Sequence, residues 1–161
     1  MSEDFLIEMG YAGLTGRLKR LSDAFIYQTR DFYREHESDI EPNWHMIFML
    51  LQKNEKMTVT EIADTLQLSH PAIVKLINKM KKRGYVDAEI DSQDNRKYQL
   101  MLSQKAKQKL PVLQEYWTAG EKALEELLDF NTRLLDEIQK LEDRMAEADF
   151  RTRMDKLLVN E

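Results

Sequence analysis

The chain has 161 residues, 42% of them hydrophobic and 33% charged, with a formal net charge of -5. That length suits one domain, or one domain with an extension, and a core large enough to need no staples. It has no cysteine, so disulfides, thiolate metal sites and thiol redox chemistry are excluded.

Residues 4–36 read as a helix. Leu14, Leu18, Leu21 and Phe25 recur at helical spacing and Tyr33 closes the stripe, while Gly10, Gly13 and Gly16 weaken the first turns. HESDIEPN is a loop, and Pro42 suits the first turn of a helix through WHMIFMLLQKN. That helix is apolar nearly all round, so it is expected to be central and buried.

Thr58 and Glu61 stand at capping-box spacing and start a short helix ending near Leu66. Gln67 and Leu68 make a tight turn. Ser69 caps a second helix with Pro71 in its first turn, Ile73, Leu76, Ile77 and Met80 as its apolar stripe, and Gly84 just past its basic end. YVDAEI and KYQLMLS follow as two strands around a crowded tip holding Asp91, Asp94, Asn95, Arg96 and Lys97. From Ser103 the chain is helical again, with a kink or late start forced by Pro111. A last helix carries Leu134, Ile138, Leu141, Met145 and Ala148 four and three residues apart, a narrow seam of the coiled-coil sort.

No apolar run reaches the length of a membrane span. The start MSEDFLIEMG lacks the basic region of a signal peptide, so a cytoplasmic location is expected. The negative total conceals an asymmetry. Residues 67–109 hold ten Lys and Arg against four Asp and Glu, and the remainder of the chain is strongly acidic. Such a distribution marks a local anion-binding face.

Two short helices joined by a tight turn, the second capped and basic, describe a helix-turn-helix, and the hairpin makes it winged. A helix N-terminus fits the major groove, and its dipole favours phosphate. With the stripe turned inward, Ser69, His70, Pro71, Val74, Lys75 and Asn78 face out as candidate DNA contacts. Lys81, Lys82 and Arg83 read as favourable charges at a helix C-terminus, with phosphate contact the lesser alternative. Arg96 at the hairpin tip suits the narrow minor groove. Asp91 and Asp94 would repel DNA and are better placed to hold Arg96 through charge-assisted hydrogen bonds.

The stretch TVTEIADTLQLSHPAIVKLINKMKKRGYVDAEIDSQDNRKYQLMLSQKAK resembles the MarR-type winged-helix transcription regulators. The most specific part is D-x-x-D-x-R followed by an alternating strand and L-S-x-K, here Asp91, Asp94, Arg96, Leu102, Ser103 and Lys105. The family more often has Thr at the place of Ser103 and usually Gly at that of Ala106. The order of elements extends the resemblance over nearly the whole chain. It implies a mainly α fold with a small β-hairpin wing: a winged helix-turn-helix over residues 37–103, flanked by dimerisation helices at 1–36 and 104–161. It also implies a homodimer on a palindromic operator, often a repressor relieved by a small effector. Arg96 is then the minor-groove arginine and Asp94 its partner.

Leu14 and Leu18 on the first helix, with Leu134, Ile138, Leu141 and Met145 on the last, are the expected dimer contacts. The resemblance places effectors between the dimer helices and the winged module, where Trp44, His45 and Phe48 are candidate lining, with Tyr11, Tyr33 and Tyr116 as further possibilities. Polar residues are scarce in the second helix, so an effector should be small and partly aromatic or apolar. His36, His45 and His70 lack metal-ligand spacing, no cofactor is expected, and no nucleophile–base motif points to an enzyme. The alternative reading is a winged-helix protein-interaction scaffold that has lost DNA binding.

Overall fold

The computed structural model describes residues 4–92, 94 and 96–159. Eight helices and one hairpin are found among them: α1 (Phe5–Glu8), α2 (Leu14–Glu35), α3 (His45–Asn54), α4 (Val59–Leu66), α5 (His70–Lys82), β1 (Val86–Ile90), β2 (Tyr98–Leu102), α6 (Gln104–Leu127), α7 (Arg133–Glu147) and α8 (Phe150–Val159). Short 3-10 turns at Gly10–Gly13 and Pro42–Trp44 lead into α2 and α3. The chain forms two compact units that part between Leu110 and Pro111.

The expected first helix is broken in two. The Asp4 side chain caps α1 by accepting the Leu6 N–H at 3.1 Å, and it also takes the Arg20 guanidinium at 2.6 Å. A Cβ at Gly13 would stand 2.0 Å from the Leu6 carbonyl oxygen. The absence of that atom lets α1 fold back against the start of α2.

The core of the first unit is built on α3. Ile47, Phe48 and Leu51 are buried, with Trp44 just before them. The helix is less uniformly covered than its composition implies, since Met49 is exposed. Ile62 and Ala63 of α4 and Ile73, Ile77 and Met80 of α5 complete the layer. Leu76, expected in the α5 stripe, is only half-buried.

Between α4 and α5 the chain turns at Gln67, which takes the left-handed conformation (φ 51°). The strands pair antiparallel from Val86↔Leu102 to Ile90↔Tyr98. Met57 adds a one-residue third rung, its N–H and C=O bonded to Leu100 at 3.1 and 2.8 Å. Leu100 and Leu102 are thereby held in the core while Ile90 and Tyr98 stay exposed.

Two expectations about the helices after the wing need correction. Pro111 does not delay its helix, because α6 begins at Gln104 and contains the proline. Ser103 supplies the start instead, accepting the Ala106 N–H on its Oγ at 3.1 Å. The last helix also ends sooner than its seam suggested. Ala148 is the extended cap of α7, and Asp149 opens α8 by accepting the Thr152 N–H at 2.7 Å.

The α4 start is a complete capping box. Thr58 Oγ1 accepts the Glu61 N–H at 3.2 Å and Glu61 Oε2 accepts the Thr58 N–H at 2.7 Å. In a helix of eight residues this end matters. Thr58→Ala should cost about 1 kcal/mol, read as a lowered thermal midpoint with an unchanged native circular dichroism spectrum.

Candidate nucleic-acid interface

The N-terminus of α5 is made by Ser69, whose Oγ accepts the Ala72 N–H at 3.4 Å, with His70 and Pro71 as the first helical residues. Helical periodicity then decides which side chains share a face. His70, Pro71, Val74, Lys75, Asn78, Lys79 and Lys82 line one shallow, open concavity of about 660 Å³. The outward set read from the sequence is thus brought together, except that Ser69 lies beside this face as the cap and Val74 is half-buried. Lys79 was not in that set, and Lys82 was read first as a helix-end charge with phosphate contact the lesser alternative. Their signal was the spacing from Lys75, at i+4 and i+7, which continues a cationic stripe along the helix.

The wing tip is a small hydrogen-bonded assembly. Asp91 Oδ1 accepts the Asp94 N–H at 3.0 Å, and its Oδ2 accepts Gln99 Nε2 at 2.6 Å. The Lys97 N–H bonds the Asp94 carbonyl at 2.9 Å. With Asp94 fixed, its carboxylate receives both the Arg96 N–H and Nε at 3.1 Å, and Nη2 at 3.4 Å. The Arg96 side chain remains 91% exposed. It is braced yet presented. Its donated hydrogen bonds hold the Asp94 carboxyl below its ordinary value. Of the two supporting aspartates, Asp94 grips the arginine and Asp91 orders the turn that carries Asp94. Asn95, also counted at this tip, lies outside the described residues.

Other cations nearby are committed elsewhere. Arg83, at the end of α5, reaches back to the Asp39 carbonyl and to Glu41, and its guanidinium lies 5.5 Å from the Trp44 ring. Lys105 bonds Asp39 Oδ2 at 3.1 Å and the Arg83 carbonyl at 2.9 Å. Lys56 pairs with Glu89 on the wing.

The other candidate residues fall as follows. Trp44 and Phe48 are fully buried and pack edge-on against Tyr85, at ring centroid distances of 5.7 and 5.6 Å. His45 is half-buried, its Nδ1 at 2.9 Å from the Pro42 carbonyl. Trp44 and Phe48 belong to the core. Among the described residues, the Trp44 Nε1 is a buried polar atom with no partner. Tyr33 is buried, Tyr11 fully exposed and Tyr116 half-buried. Leu14 and Leu18 on α2, and Leu134, Ile138, Leu141 and Met145 on α7, are all exposed. Among the described residues no group of three His, Cys, Asp or Glu could hold a metal, and no helix is long and apolar enough to cross a membrane.

A capped helix with a basic outer face, beside a hairpin that presents one arginine, defines a winged helix-turn-helix protein. Solved structures share this fold. The transcriptional repressor CouR, bound to a 23-mer DNA duplex, is 25% identical with a TM-score of 0.65, over 86% of this chain and 96% of its own. The S. aureus MepR–DNA complex is 17% identical (TM-score 0.70; 82% of this chain, 97% of that one). A MarR/EmrR family transcriptional regulator from Acinetobacter sp. ADP1 is 20% identical (TM-score 0.69; 83% and 95%). No curated protein matches the sequence. Residues 38–97 match the model of the MarR family, a match that covers the helix-turn-helix and the first part of the wing, and the chain shares the winged-helix fold of the solved MarR-type structures.

The exposure of Arg96 separates its service to the fold from its service to a partner. Arg96→Ala should shift unfolding free energy by no more than roughly 0.5 kcal/mol, as for an ordinary surface change, with the thermal melt at neutral pH as the check.

Proposed function

We propose that the protein acts in the cytoplasm as a homodimer on a palindromic operator, as a repressor that a small effector releases. In this reading the α5 face from His70 to Lys82 enters the major groove and Arg96 enters the adjoining minor groove. Ser69, His70, Pro71, Lys75 and Asn78 contact base edges or the nearest phosphates. Lys79 and Lys82 follow the backbone, and Asp94 sets the arginine.

The observation that carries the proposal is the wing tip. An arginine with so much of its side chain in solvent, yet fixed by three hydrogen bonds to one carboxylate, has its orientation settled before any partner arrives. A narrow minor groove concentrates negative potential and takes such a side chain readily. Pre-fixing the guanidinium reduces the ordering cost on binding.

The dimer rests on separate grounds. Leu134, Ile138, Leu141 and Met145 are between 38% and 49% exposed, and α7 buries no residue at all. On α2, Leu14, Leu18, Leu21 and Phe25 form a second exposed apolar row. Contiguous apolar rows of this kind mark interaction faces. A twofold copy of the same chain is the commonest occupant, and it matches the symmetry of a palindromic site. The effector is proposed as small and partly aromatic or apolar, in keeping with the apolar character of α3.

Two outcomes test this reading. On a duplex that the wild-type protein selects from a random-sequence pool, Arg96→Ala should weaken binding by about 1–3 kcal/mol. Lys75→Ala should also weaken it. A relaxed preference at one position per half-site would mark a base contact, and a salt slope flattened by about one unit would mark a phosphate. Full wild-type affinity in Arg96→Ala across the salt titration would remove the wing from the mechanism. Separately, light scattering should give a dimer mass for the wild type and a monomer for Leu141→Asp. A monomeric wild type at micromolar concentration would contradict the dimer.

A further inference from the structure

Asp39 lies in the loop between α2 and α3, thirty-one residues before α5 begins, and its carboxylate is a meeting point. Oδ1 accepts the hydroxyl of Tyr85, which stands between α5 and β1. Oδ2 accepts Lys105 Nζ at 3.1 Å, from the first turn of α6 just after β2. The same loop takes the Arg83 guanidinium on the Asp39 backbone carbonyl.

The two partners are themselves tied together. Lys105 Nζ lies 4.1 Å from the centre of the Tyr85 ring and bonds the Arg83 carbonyl at 2.9 Å. Ser103 Oγ donates to the Gly84 carbonyl at 2.6 Å, and the Ser103 N–H to the Tyr85 carbonyl at 3.0 Å. Gly84 makes the turn possible with φ of +74°. The end of the recognition helix and both roots of the wing are therefore fastened to one loop residue, the wing roots directly through its carboxylate and the helix end through its backbone carbonyl and Lys105.

We propose that Asp39 is a positioning residue of the DNA interface, which holds the recognition helix and the wing arginine in the relation that two adjacent grooves require. The proposal rests on the DNA-binding reading above. Neither Asp39 nor Lys105 is on the helix face that meets DNA in that reading. Both side chains are about half-exposed, so their loss leaves the buried core in place. Geometry of this sort matters because a groove contact displaced by a fraction of its length is no longer made.

The sign of the expected effect is diagnostic. Asp39→Asn removes a negative charge, and long-range electrostatics alone would tighten binding to any duplex. Lys105→Met removes a positive charge while keeping the stem over Tyr85, and electrostatics alone would weaken binding to any duplex. Positioning requires that both weaken specific binding. On the duplex selected by the wild type, each variant should lose roughly tenfold in affinity, the scale of one base contact. A scrambled duplex of equal length should show no such loss, and the Asp39→Asn variant should bind it no more weakly than the wild type. Adding Arg96→Ala to Asp39→Asn should cost less than Arg96→Ala costs alone, because the wing is already displaced.

Wild-type or tighter binding of the selected duplex by Asp39→Asn would overturn the proposal. So would equal losses on both duplexes that follow only a lowered thermal midpoint, since that is a stability effect. If the wild-type protein selects no duplex at all, the DNA-binding reading fails first and takes this proposal with it.

Discussion

The Tyr85 side chain sits where the recognition helix, the wing and the start of α6 converge, and it has to satisfy three demands at once. Its ring fills the core between Trp44 and Phe48. Its main chain continues the helix end through a bond from its N–H to the Met80 carbonyl at 2.9 Å, and closes the wing through Ser103. Its hydroxyl, carried inward with the ring, would be costly to leave unpaired. Asp39 takes it. Burial first, and then the carboxylate, push the Tyr85 hydroxyl far above its ordinary value, so it stays a neutral donor. Burial also pushes the Asp39 carboxyl up, but the bonds from Tyr85 and Lys105 outweigh that and hold it low. The pairing is thus intact at neutral pH and is lost only as pH falls through the lowered carboxyl value.

From that anchor the division of labour among the cations follows. Ten Lys and Arg lie between residues 67 and 109, but they are not equivalent. Arg83 and Lys105 are turned toward the loop at Asp39–Glu41 and hold the module together. Lys75, Lys79 and Lys82 share the open face of α5 with His70 and Asn78. Arg96 alone among these is braced at the tip of a hairpin with its side chain in solvent. Charge by itself does not tell which side chains meet nucleic acid. What each cation is already bonded to separates those held within the module from those left open to a partner.

Much of this was legible in the sequence, because the decisive signals are local. The Thr58–Glu61 box, the Ser69 cap, the Gly84 stop and the Asp94–Arg96 pair all span three residues or fewer, and spacing of that order fixes geometry. The outward face of α5 followed from its apolar stripe. Long-range partners left no such trace. Lys105 and Asp39 are 66 positions apart and Arg83 and Asp39 are 44 apart, so Arg83 was read as a simple helix-end charge. The glycines at 10, 13 and 16 signalled weak first turns, but the carbonyl of Leu6 that meets the absent Cβ at Gly13 left no trace in the spacing. The end of α7 was overrun because Ala148 continues the seam by type, although Asp149 is a residue suited to cap a new helix.

The central claim is that helix and wing engage two different grooves from one rigid module. Hydroxyl-radical footprinting on the selected duplex reads this directly, since the radical attacks sugars along the minor groove. The account predicts protected minor-groove patches flanking each major-groove half-site, and in Arg96→Ala the loss of those patches alone, with major-groove methylation interference unchanged. A wild-type footprint confined to the half-sites, with no protection in the flanking minor groove, would contradict it.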